Sequence, residues 1–68
     1  MENQVYKTIQ ITGTSSSGSD AAVRTALDKA AKTIHDIRWF RIMDTRGQIE
    51  KNQIASWQVT IELGFALE

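Results

Sequence analysis

The chain has 68 residues, with eight Lys and Arg against eight Asp and Glu, 41% hydrophobic residues and no Cys. A chain this short forms one domain over residues 1–68 around a small core, and without Cys it has neither disulfides nor thiolate zinc sites to reinforce that core. Balanced charge argues against a general nucleic-acid-binding or membrane-surface role.

Natural domains below about 70–80 residues gain reinforcement from disulfides, a structural metal or oligomerisation. One His and no clustered carboxylates make a structural metal a poor choice, so association with further copies of the chain is expected. No continuous apolar run reaches about 18 residues, and Met1-Glu2-Asn3-Gln4 is polar. The expected chain is therefore soluble, without a secretory signal or membrane span. Its lack of Cys fits a reducing, cytoplasmic setting.

Val5, Ile9 and Ile11 alternate with Tyr6, Thr8, Gln10 and Thr12, which predicts a first strand ending at Gly13. Thr14-Ser15-Ser16-Ser17-Gly18 reads as a polar turn into a helix, with Ser15 or Ser17 as N-cap. Ser17 and Asp20 have capping-box spacing, and Asp20 suits the positive helix start. Val23, Ala26, Leu27, Ala30, Ala31 and Ile34 fall on one apolar stripe, so the helix is expected to run to about His35. Asp20 and Arg24, and Asp28 and Lys32, have the acid-first spacing that supports a helix. His35 would then sit in the last turn, where a cation is favoured. A chemical role for this lone His requires an orienting partner that the sequence does not supply.

Arg38 to Glu50 reads as a second strand whose facing is ambiguous. Either Phe40 and Ile42 point inward, or Trp39 and Met43 do. Arg41 shares a face with Trp39 and is more easily tolerated outside, which favours Phe40 and Ile42 inward and Trp39 outward. Gly47 suggests a bulge at which the facing switches. Lys51-Asn52 is the expected turn. From Ala55 to Leu67 every odd position is apolar, and Ser56, Gln58, Thr60 and Glu62 intervene, so one long strand has a core face and a wet face. The order is strand, helix, strand, strand, and strand one can lie antiparallel beside strand three. One sheet around one helix leaves a face and an outward Trp exposed, which marks an interface or a ligand site.

Gly13-Thr14-Ser15, Arg38-Trp39-Phe40, Arg46-Gly47-Gln48-Ile49-Glu50, Trp57-Gln58-Val59-Thr60 and Gly64-Phe65-Ala66-Leu67-Glu68 together resemble the dodecin family. Each motif alone is weak; the five in order and at family spacing span essentially the whole chain. The resemblance implies an α+β fold, a three-stranded antiparallel sheet wrapped around one helix (β-α-β-β), assembled as a hollow homo-dodecamer. It also implies flavin, of the FMN or riboflavin type, held in stacked pairs at subunit interfaces for storage and photoprotection without turnover.

Trp39 matches the family tryptophan that stacks on the isoalloxazine, and an indole offers the flat π face such stacking needs. The alternative is a core or subunit-contact Trp. Gln58 matches the family glutamine at the flavin ring edge, where an amide supplies both donor and acceptor. Arg46 is the candidate for a phosphate or ribityl contact, since guanidinium forks match phosphate oxygens, with a surface ion pair as the alternative. Gln48 is a candidate neighbour of the ring and Tyr6 a candidate rim residue. Trp57, on the apolar face, reads as core or interface. Relatives often carry Arg where Ala66 stands, an Arg associated with a coenzyme A-like site near a trimer contact; Ala66 has no charge and puts that partner in doubt.

Enzyme chemistry finds little support. No Cys–His or Ser–His–acid set is apparent, and Gly13 to Gly18 lacks both a P-loop Lys and dinucleotide-fingerprint spacing. Two further classes stand beside flavin binding: a purely structural homo-oligomeric scaffold, and a sheet-based RNA binder using Trp39 as a stacking platform, which the absence of net positive charge disfavours. With the turn at Lys51-Asn52, Gln58 falls opposite about Thr45 and Trp39 opposite about Gly64. The two would then stand roughly 20 Å apart along the sheet at about 3.3 Å per residue. One flavin cannot reach both within one chain.

Overall fold

The computed structural model describes residues 3–67. β1 (Tyr6–Ser15) leads into α1 (Ser19–Ala30), and β2 (Ile37–Glu50) and β3 (Gln53–Ala66) form a long hairpin. The sheet order is β1-β3-β2 with both pairings antiparallel, so the last strand is central and strand one lies beside it as expected. The α+β, β-α-β-β architecture is the one expected from the sequence.

α1 packs on β1 and β3. Val59, Ile61 and Leu63 of β3 are fully buried beneath Ala22, Val23, Ala26 and Ala30 of the helix, the core part of the expected odd-numbered face. Ala55, Trp57 and Phe65 are only half-buried, and Leu67, 55% exposed, lies beyond the strand. Ile9, Ile11, Leu27, Ile34 and Ile37 flank that cluster, half-buried. Small residues allow the helix to come close. A Cβ at Gly13 would overlap the Ala22 carbonyl oxygen and crowd Ala26, so glycine is required there for contact, not for backbone freedom. β1 consequently does not end at Gly13 but passes under the helix, with Gly13 opposite Val59 and Ser15 opposite Trp57.

The helix boundaries differ from the expected ones at both ends. Its N-cap is Gly18, at φ 156° and ψ 174°, with no side-chain cap bond. That backbone region is open essentially to glycine alone. Ser15 and Ser17 are therefore not caps; Ser15 Oγ accepts a 2.9 Å bond from the Ser17 N–H inside the turn. Asp20 does occupy the first turn. At the other end α1 stops at Ala30, and residues 31–33 form a turn held by bonds from the Lys32 N–H to Lys29 and from the Thr33 and Ile34 N–H groups to Ala30. Asp36 then takes a left-handed φ of 61°, reversing the chain into β2. His35 lies exposed in this connection, outside the helix, and Ala31 is exposed as well. Ala22, absent from the predicted stripe, is fully buried.

The β2–β3 turn falls at Lys51 and Asn52, both left-handed at φ 52° and 64°, the pair of positive angles a two-residue hairpin requires. No bulge sits at Gly47, which pairs with Trp57 in register. The register shifts on either side of it: Gln48 opposes Ser56 while Ile49 opposes Ile54, so Ala55 is extra on β3. Ile42 opposes Ile61 while Asp44 opposes Thr60, so Met43 is extra on β2; a third shift, at Arg38, opens β2. The extra Ala55 moves Gln58 opposite Arg46, one position from the expected Thr45, and the extra Met43 cancels that shift, so Trp39 opposes Gly64 as expected.

β2 contains no buried residue. Phe40 and Ile42 do point to the helix side, opposite Leu63 and Ile61, but they remain 46% and 53% exposed because α1 does not reach over them. Between them and Val23 and Leu27 lies an open groove of about 350 Å³, rimmed by Asp20, Arg24 and Asp28.

Candidate functional site: the open face of the sheet

Directly opposed residues of antiparallel strands share a face. With the odd residues of β3 under the helix, its even residues and their partners form the uncovered face. Successive rungs there read Thr8–Gly64–Trp39, Gln10–Glu62–Arg41, Thr12–Thr60–Asp44 and Thr14–Gln58–Arg46, with Tyr6–Ala66 at one end and Ser56–Gln48 at the other.

The Met43 bulge decides what this face contains. Simple alternation along β2 would put Arg46 and Gln48 on the side of Phe40 and Ile42, away from Trp39. One extra residue switches the parity, so Asp44, Arg46 and Gln48 join Trp39 and Arg41. The sequence carried a signal for it: even positions of β2 change from apolar (Phe40, Ile42) to polar (Asp44, Arg46, Gln48) across Met43.

At one end of the face, the Trp39 indole lies across Gly64, where a Cβ would fall among Cε2, Cζ2 and Nε1 of the ring. Tyr6 meets the indole nearly edge-on, with ring centroids 6.1 Å apart and an interplanar angle of 74°. The Tyr6 hydroxyl donates to Gln4 Oε1 at 2.9 Å. Trp39 remains 37% exposed. A flat, partly exposed aromatic surface with an aromatic wall is a stacking platform.

The middle of the face is self-satisfied. Arg41 donates from Nε and Nη2 to Glu62 Oε1, at 3.2 and 2.9 Å, across one rung. The Thr12 and Thr60 hydroxyls share a 2.9 Å hydrogen bond on the next. Neither contact was expected from the sequence.

At the far end, Arg46 donates through Nε to Asp44 Oδ2 at 2.8 Å, leaving the rest of its guanidinium exposed. Half-buried Gln58 stands beside it on β3. Gln48 Oε1 accepts from Ser56 Oγ at 3.0 Å one rung further on. The sequence-predicted residues thus form two groups on one face, Trp39 with Tyr6 and Gln58 with Arg46 and Gln48. Ala66 pairs with Tyr6 and brings no charge to that end.

Among the described residues, no three His, Cys, Asp or Glu side chains come together to hold a metal. No helix among them is long and apolar enough to cross a membrane.

The family model described as Dodecin matches residues 5–68. The curated dodecin of Thermus thermophilus is 40% identical over 65 residues, covering 96% of this chain and 94% of its own. The solved dodecin of Streptomyces coelicolor superposes with a TM-score of 0.93 at 46% identity, over 100% of this chain and 97% of that one. The solved dodecin of Streptomyces davaonensis gives 0.92 at 42% identity, over 98% of both chains. An uncovered sheet face bearing Trp39 and Gln58, a matching fold and full-length similarity lead to one conclusion: the chain belongs to the dodecin family.

Proposed function

We infer that this protein binds flavin, as FMN or riboflavin, in stacked pairs at the subunit interfaces of a hollow homo-dodecamer. The flavin is stored, sequestered and photoprotected in the cytoplasm, without catalytic turnover. The observation that carries this reading is the Trp39 indole, laid across Gly64 on the uncovered face and presenting a flat surface of the kind an isoalloxazine stacks on.

The spacing on that face supports the assembly. Trp39 stacks on the ring, while Gln58 offers an amide to the ring edge and Arg46 a guanidinium to a phosphate or the ribityl chain. Gln48 and Tyr6 border the two groups. Because one flavin is too short to span both within a chain, each pocket takes its parts from neighbouring subunits. The exposed Phe40 and Ile42 support the same conclusion, since a β2 strand with no buried residue gains a core only against another copy. Ala66 supplies no cation, so coenzyme A is not included among the partners. The equal numbers of acidic and basic residues weigh against RNA.

The test is direct. Freshly purified protein should be yellow, and titration should quench the fluorescence of added riboflavin and FMN. A large oligomer that neither carries nor quenches flavin would overturn this reading and leave a structural scaffold.

A further inference from the structure

Gly64 lies two residues before the end of β3, the central strand, buried, between Thr8 and Trp39. A glycine there weakens a strand, because it packs no side chain and loses much backbone freedom on folding. Its backbone gives no reason for it: Gly18 is the positive-φ glycine among the described residues, and Gly64 is not. The reason is space. The three atoms closest to where a Cβ would stand are Trp39 Cε2, Cζ2 and Nε1, consecutive along one edge of the indole. The ring therefore occupies the volume of the missing side chain and lies against the strand. With Tyr6 at 6.1 Å and 74°, the indole has backbone on one face and an aromatic wall beside it, and its outward face is the one left for a ligand.

We propose that Gly64 is a positioning residue for Trp39: its bare backbone seats the indole flat, so that a single ring face is offered to a planar aromatic ligand. Any side chain at position 64 lifts and tilts the ring, and stacking is lost without loss of any ligand-contacting group. The identity of the ligand rests on the flavin reading above; the seat itself does not.

The experiment uses Trp57→Phe protein, in which Trp39 is the sole remaining tryptophan of the two. Gly64→Ala is introduced and followed without ligand by Trp39 emission, iodide quenching and near-UV circular dichroism. Lumiflavin, riboflavin and FMN are then titrated, with sedimentation to monitor assembly. Oligomer size should persist, Trp39 emission should shift and its quenching rise, and all three flavins should weaken by the same factor, about 5- to 150-fold for a lost stacking contact.

A double-mutant cycle separates seating from general damage. In a Trp39→Ala background, Gly64→Ala should no longer destabilise the protein, because no ring is displaced. If Gly64→Ala fails to assemble, combining it with Trp39→Phe should restore assembly, since the smaller ring lacks the overlapping indole edge. Unchanged Trp39 spectra in Gly64→Ala, equal destabilisation with and without the indole, or no rescue by Trp39→Phe would each overturn the proposal. Spectral changes as expected, in a protein that binds none of the flavins, would support the seat and overturn the flavin reading.

Discussion

Trp39 and Gln58 share the uncovered face of the sheet, yet they are separated along β3 by the stretch from Gly64, which opposes Trp39, down to Gln58 itself. At about 3.3 Å per residue that stretch is roughly 20 Å, well beyond the reach of one flavin ring system. A pocket that uses both residues would form only between subunits. Dilution or mild denaturation should therefore release flavin in step with loss of the oligomer, read by recovery of flavin fluorescence beside sedimentation. Flavin that stays bound to separated, folded monomers would refute shared pockets.

Trp39→Ala should abolish most flavin binding while leaving the assembly intact. The substitution removes a stacking surface of about 1–3 kcal/mol, by analogy with base–aromatic stacking. It takes nothing from the core cluster, which is formed by α1 and the odd residues of β3. Fluorescence titration checks the first expectation and sedimentation the second.

Arg46 pairs with Asp44 through Nε alone, so most of its guanidinium remains available. Arg46→Ala should weaken FMN more than riboflavin, because only FMN brings a phosphate for a charge-assisted bond. The exposed pair with Asp44 contributes little to stability, so the melting temperature should barely move. Equal loss of both flavins would place the contact elsewhere on the ligand.

Ile42 is 53% exposed beside the groove under α1, opposite the fully buried Ile61. In a single chain Ile42→Asp costs little, since the carboxylate stays in water. In an assembly that covers β2, the same charge must be buried without a partner, at several kcal/mol. Ile42→Asp should shift the sedimentation profile from the large oligomer towards small species at micromolar concentration. An unchanged profile would mean that this face stays uncovered.

Gly13→Ala should destabilise the fold without touching the proposed flavin face. The new Cβ meets the Ala22 carbonyl oxygen and Ala26, both on the helix that caps the core. Displacing α1 to make room is overpacking, at about 1–3 kcal/mol. Thermal or urea denaturation would register it as a lower midpoint, and a wild-type midpoint would show that α1 does not bear so closely on β1.

Much of this fold was legible in the chain because its signals are local. The alternation from Ala55 to Leu67 identified a long strand and its core face, and Lys51-Asn52 marked the turn that sets hairpin register. Helix ends were less legible. Ser17 has the chemistry of an N-cap, but the approach to β1 brought the chain in through Gly18, and Ile34 was taken by the core after the helix had already ended. The candidate site was legible in part. Trp39 and Gln58 could be placed on one face from strand periodicity and register, whereas Arg46 and Gln48 could not. By itself, then, the sequence determined element order, the core face of β3, the turn at Lys51-Asn52 and membership in a family. Only the tertiary structure decided that Met43 bulges, which turns Arg46 to the side of Trp39, and that the indole rests on Gly64. Periodicity reports which residues prefer burial, but a bulge and a ring's resting place depend on how two strands and a helix share space.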